Sequence, residues 1–143
     1  MRLKRLIAST LLAVICMTTT ASATDLSVSD RDRLMRIAMA EAEGEGIYGK
    51  AAVMEVVLNR VDDSRYPNNV HDVLFQPGQF TTVTTGGRYW TSVPNEECAI
   101  ALMLVEGNID FANGALYFNS YNSCWQDNEL TYLFKLGNHK FYK

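Results

Sequence analysis

The chain has few of the groups that usually announce a mechanism. Its two histidines, His71 and His139, lie far apart with no H-E-x-x-H spacing, and its three cysteines form no paired C-x-x-C motif, so no zinc site is expected. No serine or cysteine sits in a nucleophile elbow or beside a histidine, which argues against acyl transfer. The acidic residues lack the D-x-D-x-D-G order of a calcium loop, and neither metal nor cofactor is expected. Lysine and arginine are outnumbered thirteen to sixteen by acidic residues and do not cluster, which argues against nucleic acid or anionic lipid as the main partner. There is no repeat, low-complexity tract or linker. Finally, the longest apolar run, Leu6 to Met17, is too short to span a bilayer.

That run has another reading. Arg2, Lys4 and Arg5 precede it and Ala21-Ser22-Ala23 follows it, the three parts of an export signal cleaved after residue 23. A lipoprotein reading of Cys16 is disfavoured by Ile15, larger than the residue expected before a lipidated cysteine. The expected product is residues 24–143, one domain with one core and no membrane anchor, expected to be a monomer in the periplasm or outside the cell. Loss of three basic residues leaves ten against sixteen acidic, a net charge of −6. A neutral or cationic polymer suits such a surface better than a polyanion. In an oxidising compartment Cys98 and Cys124 are a disulfide candidate, closing a loop of 27 residues that would contribute about 3 kcal/mol. The alternative is two unpaired thiols, one on the buried face of a helix.

Periodicity predicts a mostly α domain with a small β component. Ser29 and Asp32 resemble a capping box for a first helix over about 30–43, in which Leu34, Ile37, Ala38 and Glu41 recur at helical spacing and Gly44 ends the pattern. Val53, Val56, Val57 and Arg60 predict a second helix over 49–61, although its β-branched content also suits a strand. A short helix is expected over 70–75, ended by Pro77-Gly78, and loop or extended structure over 79–90. Asn95 is placed to cap a further helix with Glu96 and Glu97 in its first turn, with Ile100, Leu102, Met103 and Val105 available to pack and Gly107 at its end. Residues 115–119 and 140–142 are the strand candidates.

The densest ionisable cluster is Glu41-Ala42-Glu43-Gly44-Glu45-Gly46, three carboxylates at alternate positions where the first helix runs into glycine. Side chains at a frayed helix end can face a cleft, and the glycines let a ligand approach the backbone. A solvated acidic helix end explains the same spacing equally well.

Glu41-Ala42-Glu43-Gly44-Glu45, Tyr48-Gly49-Lys50-Ala51-Ala52-Val53 and Val57-Leu58-Asn59-Arg60-Val61 resemble the opening of the SleB/CwlJ-type cell wall hydrolases. The resemblance continues through Tyr66-Pro67-Asn68, Gln76-Pro77-Gly78-Gln79-Phe80, Gly114-Ala115-Leu116-Tyr117-Phe118-Asn119 and Gly137-Asn138-His139-Lys140-Phe141-Tyr142. It implies an α+β, lysozyme-like (lytic transglycosylase-like) domain acting on peptidoglycan glycan strands, with Glu41 matching the essential acid and Glu45 the second glutamate of the family pattern. Glu43 stands where many relatives carry a basic residue, a departure that would raise the pKa of Glu41 or alter substrate preference.

A single acid suffices for one form of this chemistry. Glycosidases usually need a second carboxylate, whereas in lytic transglycosylases the muramic acid C6 hydroxyl attacks and the spent acid accepts its proton. The resemblance therefore implies cleavage between N-acetylmuramic acid and N-acetylglucosamine with Glu41 as acid and then base, leaving a 1,6-anhydro sugar. If Glu45 positions a water, the outcome is ordinary muramidase hydrolysis; it could instead hydrogen-bond backbone amides and organise the turn. Gln79, Phe80 and Thr81 are candidates to line a glycan groove, as are Tyr117 and Asn119, although Tyr117 also reads as a core aromatic. Arg60 and His139 are read as structural. A catalytically silent glycan-binding protein would use the same groove, and a peptidoglycan amidase would need zinc ligands that the sequence does not supply.

Overall fold

A computed structural model describes residues 25–120, 122 and 124–143; the export signal expected at residues 1–23 lies outside the described residues. The fold is α+β and mostly α. Helix α1 spans Val28–Ala42, α2 Gly46–Asp62, α3 Val70–Phe75, α4 Arg88–Thr91, α5 Glu96–Glu106 and α6 Gln126–Glu129, with a 3-10 turn at Thr81–Val83. A three-stranded antiparallel sheet of β1 (Tyr117–Asn119), β2 (Tyr132–Leu136) and β3 (His139–Tyr142) has the order β1-β3-β2.

Helix α2 organises the molecule. Residues Gly49 to Val57 are all buried, as expected of a helix packed on every side. Its Ala51, Met54 and Val57 join Leu34 and Ile37 of α1 and Ala101, Leu102 and Val105 of α5 in the main core. Ala52 and Val56 turn the other way and pack with Ala112, Ala115 and Phe141 beneath the sheet. The β-branched residues that also suited a strand are accommodated because helix packing on both flanks outweighs their small propensity penalty. Lys50, fully buried, donates from Nζ to the Glu43 carbonyl at 2.7 Å and to Glu97 Oε2 at 2.8 Å, tying the end of α1 to the start of α5.

Several boundaries differ from expectation. The cap of α1 is Ser27, whose hydroxyl accepts from the Asp30 backbone N–H, so the helix begins two residues before the Ser29-based reading. On α5 the buried face is Cys98, Ala101, Leu102 and Val105, while Ile100 and Met103 are exposed; an uninterrupted apolar run carries no phase of its own. The segment 79–90 contains the 3-10 turn and α4. Strand β2 went unpredicted because its Tyr132-Leu133-Phe134-Lys135-Leu136 pattern lacks clean alternation, and a bulge between Tyr132 and Phe134 interrupts its register with β3.

The disulfide between Cys98 and Cys124 is not formed. Both thiols are free. Cys98 is buried on α5 with its sulfur 4.0 Å from Met39 Sδ, in the α1–α5 core. Cys124 instead meets Asn119 Nδ2 at 2.6 Å, beside the sheet. The two side chains occupy different layers, so proximity in a closed loop does not bring them together.

Candidate active site

Glu41 sits in the last turn of α1, half-buried, and faces a cavity of about 290 Å³. The cavity is lined by Glu41, Arg60, Gln79, Phe80, Thr81, Phe118, Asn119, Ser120, Gln126 and His139. Four chain regions therefore meet there: the end of α1, the end of α2, the segment leading into the 3-10 turn, and the sheet with its following loop. Thr82 Oγ1 donates to Glu41 Oε1 at 2.5 Å and is the side chain that orients the carboxyl group.

Burial raises the Glu41 pKa above the ordinary glutamate value, against the opposing pull of the Thr82 hydrogen bond and the Arg88 charge. A carboxyl held toward its neutral form in a polar cavity can donate a proton to an oxygen placed there. Glu43 is not what raises it. That carboxylate is exposed and forms an ion pair with Arg88, so the extra negative charge is answered locally.

Glu45 does not line the cavity. It accepts from the Asn138 backbone N–H and from Asn138 Nδ2, both at 2.8 Å, bridging the α1–α2 junction to the β2–β3 turn. Burial pushes its pKa up, but these two bonds and the His139 and Lys50 charges outweigh it and hold the carboxyl below the ordinary range. The bridge demands glycine at 137. Gly137 has φ +58°, and an added Cβ would lie 1.9 Å from Glu45 Oε2. Gly49 meets the same side chain from the other direction, where a Cβ would lie 2.4 Å from Glu45 Cβ.

Of the predicted groove residues, Gln79, Phe80, Thr81 and Asn119 lie around the cavity with Glu41. Gln79 and Thr81 are exposed, whereas Phe80 is 5% exposed and forms wall more than surface. Tyr117 is not among the lining residues; its hydroxyl receives a 2.6 Å hydrogen bond from Tyr66, and its ring faces the Arg60 guanidinium. Its neighbours Phe118 and Asn119 line the cavity, while the Tyr117 side chain is engaged by the Tyr66 hydroxyl and the Arg60 guanidinium. Sequence reasoning missed Thr82, although it stands next to a named candidate in a threonine-rich stretch. It also missed Gln126, for which no local signal exists, and the placement of Arg60 and His139 on the cavity wall. Among the described residues, no group of three or more His, Cys, Asp or Glu side chains is placed to hold a metal ion.

Comparison with known proteins adds a family. A family model described as Cell Wall Hydrolase matches residues 44–142, beginning just after Glu41. A spore cortex-lytic enzyme of Bacillus cereus is 36% identical over 92 residues, covering 64% of this chain and 35% of that protein. One from Halalkalibacterium halodurans is 39% identical over 92 residues, covering 63% and 27% respectively. The chain thus corresponds to about a third or less of the length of these relatives. Among solved structures, the catalytic domain of the germination-specific lytic transglycosylase SleB from Bacillus anthracis superposes with a TM-score of 0.73 at 31% identity, covering 84% of this chain and 98% of that one. The catalytic domain of Bacillus cereus SleB gives 0.70 at 30% identity, covering 83% and 94%.

Proposed function

The chain belongs to the cell wall hydrolase family, and from that premise we propose that it cleaves peptidoglycan strands between N-acetylmuramic acid and N-acetylglucosamine as a lytic transglycosylase. The observation that carries this reading is that Glu41 is the one carboxylate lining the cavity among the described residues. A hydrolase with two catalytic carboxylates needs a partner about 5–9.5 Å from the first, inside the same cleft. Glu45, the obvious candidate, has an oxygen engaged by each of two Asn138 N–H groups. Similarity to the Bacillus anthracis SleB domain, a germination-specific lytic transglycosylase, supports the same outcome.

The steps follow from one acid. Glu41, kept toward its protonated form by burial, donates its proton to the glycosidic oxygen as the C1–O bond breaks. Positive charge develops at C1. The C6 hydroxyl oxygen of the muramic residue then bonds to C1, and its proton passes to the Glu41 carboxylate, restoring the acid and leaving the 1,6-anhydro sugar. No water is consumed. Thr82 holds Oε1 while Oε2 remains free of hydrogen bonds among the described residues, so one oxygen is oriented and the other available. Peptidoglycan lies outside the cytoplasmic membrane, so this reading and the export signal expected at residues 1–23 support one another and favour a periplasmic or extracellular location.

Mass spectrometry of digested peptidoglycan tests this. Anhydro-muramic ends are expected with wild type and absent with Glu41→Gln. Reducing muramic ends without anhydro products would replace the transglycosylase by a muramidase, and full activity in Glu41→Gln would remove the acid assignment.

A further inference from the structure

A second cavity, of about 450 Å³, opens where α1, α3 and α4 meet and takes no part in the Glu41 chemistry. One side of it is aromatic. Trp90 is 54% exposed, and its indole N–H donates to the Val83 carbonyl at 2.9 Å, fixing the plane of the ring. Phe75 and Tyr89 pack against Trp90 with ring centroids 5.7 and 5.0 Å away, and His71 extends the row from Phe75 at 4.7 Å.

The α1 side is polar, formed by Asp32, Arg33 and Arg36. Arg36 Nε donates to Asp32 Oδ2 at 2.8 Å, and Arg33 Nη1 to Asp30 Oδ1 at 3.1 Å. The two arginines are thus balanced one for one by carboxylates, and each guanidinium keeps further N–H groups uncommitted among the described residues. Tyr89 joins the two sides. It is 3% exposed, its hydroxyl has no hydrogen-bond partner among the described residues, and Asp32, Arg33 and Arg36 all act on it electrostatically.

An aromatic face flanked by donors and acceptors without net charge fits a pyranose ring, whose C–H face is apolar and whose edge carries hydroxyl and acetamido groups. An anionic peptide would have to compete with Asp30 and Asp32 for the arginines, and a purely apolar ligand would leave the Tyr89 hydroxyl and the spare guanidinium N–H groups unmet. A strand held beside Glu41 is also within reach. Arg36 precedes Glu41 by five residues on α1, about 7.5 Å along the helix axis. Segment 81–91 serves both places, with Thr81 and Thr82 at the Glu41 site and Tyr89 and Trp90 at this one. It folds back tightly on itself at Gly87, where an added Cβ would lie 2.3 Å from the Thr82 carbonyl oxygen. Thr84, Thr85 and Gly86 are exposed between the two ends.

We propose that the cavity between α1, α3 and α4 is a second saccharide-binding site, in which a sugar ring of the glycan strand stacks on Trp90 while Asp32, Arg33, Arg36 and Tyr89 hydrogen-bond its edge. The choice of glycan as ligand rests on the glycosidic reading of the Glu41 site. The contribution of this second site is retention, because a strand engaged at two places dissociates more slowly than one held at either alone.

Tryptophan fluorescence with the hexamer of N-acetylglucosamine tests the site without turnover, since that probe contains no muramic acid and so no bond of the kind assigned to Glu41. The chain has two tryptophans, Trp90 and Trp125. In Trp125→Phe, a change at an exposed position, emission reports Trp90 alone. The hexamer is expected to shift that emission saturably, and Asp32→Ala in the same background should weaken the apparent affinity about tenfold, the loss of one charged hydrogen-bonding partner. Trp90→Ala, followed by calorimetry, should weaken hexamer binding by about the same factor. Emission that the hexamer leaves unchanged, or an affinity that Asp32→Ala leaves unchanged, would overturn the proposal. A shift produced by a free stem peptide and not by the hexamer would overturn it in favour of a peptide site. If Trp90→Ala fails to fold, the titration of Trp90 emission and Asp32→Ala still decide. Hexamer binding at Trp90 without cleavage of peptidoglycan would uphold the site and bring down the glycosidic reading, whereas cleavage with a silent Trp90 would do the reverse.

Discussion

Two glutamates in this molecule have raised pKa values for the same first reason, burial, and are suited to different work. Glu55, 8% exposed on α2, is pushed up to about 7. Its Oε2 accepts from the backbone N–H groups of Phe111 at 2.7 Å and Ala112 at 2.6 Å, pinning the loop before β1 onto the central helix. Glu41 is half-buried, has one hydroxyl partner, and opens onto a polar cavity. A shifted pKa alone therefore does not identify an acid catalyst. What separates the two is that Glu55 spends an oxygen on two backbone amides, whereas Glu41 keeps one oxygen available in its cavity.

The sharpest way to break that contrast is to remove each carboxyl in turn. Glu41→Gln is expected to lower turnover by about 10³-fold with an unchanged melting temperature, since it deletes the proton donor and keeps the shape. In wild type the acid must be protonated, so activity should fall as pH rises through a value above that of an ordinary glutamate; a pH–rate profile checks both the limb and its direction.

The next largest effect belongs to the third carboxylate. Gly137→Ala should destabilise the protein by about 2 kcal/mol, read by denaturant unfolding, because φ is +58° and the new Cβ collides with the Glu45 carboxylate. Since the Glu45 pKa is depressed in the fold, the contribution of this bridge is present above its unfolded value and lost as pH falls through the folded one.

Glu55 behaves in the opposite sense. Its folded pKa of about 7 exceeds the ordinary 4.5, so the folded state binds the proton more tightly and stability declines as pH rises between those values. Glu55→Gln should flatten this dependence by about 1–2 kcal/mol after allowing for solvent screening, and leave turnover per folded molecule close to wild type. Equilibrium unfolding at several pH values measures it. Smallest of all, Glu43→Ala should change stability by less than about 0.5 kcal/mol, because its pair with Arg88 is exposed on both sides.

How much of this was legible beforehand depends on the range of the interaction. Residues 70–75 as a helix, Asn95 as the cap of α5 and the stop at Gly107 are local rules, and the structure follows them. The start of α1 departs from the Ser29-based reading because Ser27 and Ser29 are both competent caps and the fold realises only the Ser27 geometry. Gln79, Phe80, Thr81 and Asn119 are readable as neighbours of one cleft, whereas Tyr117 is engaged elsewhere by Tyr66 and Arg60, contacts that no local spacing encodes.

By itself, then, the sequence determined the helical phase of α1 and α2, the position of Glu41 at a helix end, and the family pattern spread along the domain. These depend on spacing within a few turns or on ordered motifs. Tertiary structure decided which carboxylate meets the cavity, which one locks onto Asn138, and that Glu43 is answered by Arg88. It also left Cys98 and Cys124 apart and enclosed the Arg60 charge among aromatic rings. Those outcomes rest on contacts between residues from 41 to 93 positions apart in most cases, and separation along the chain carries no information about which of many compatible partners a side chain will meet. Packing around α2 supplies that choice.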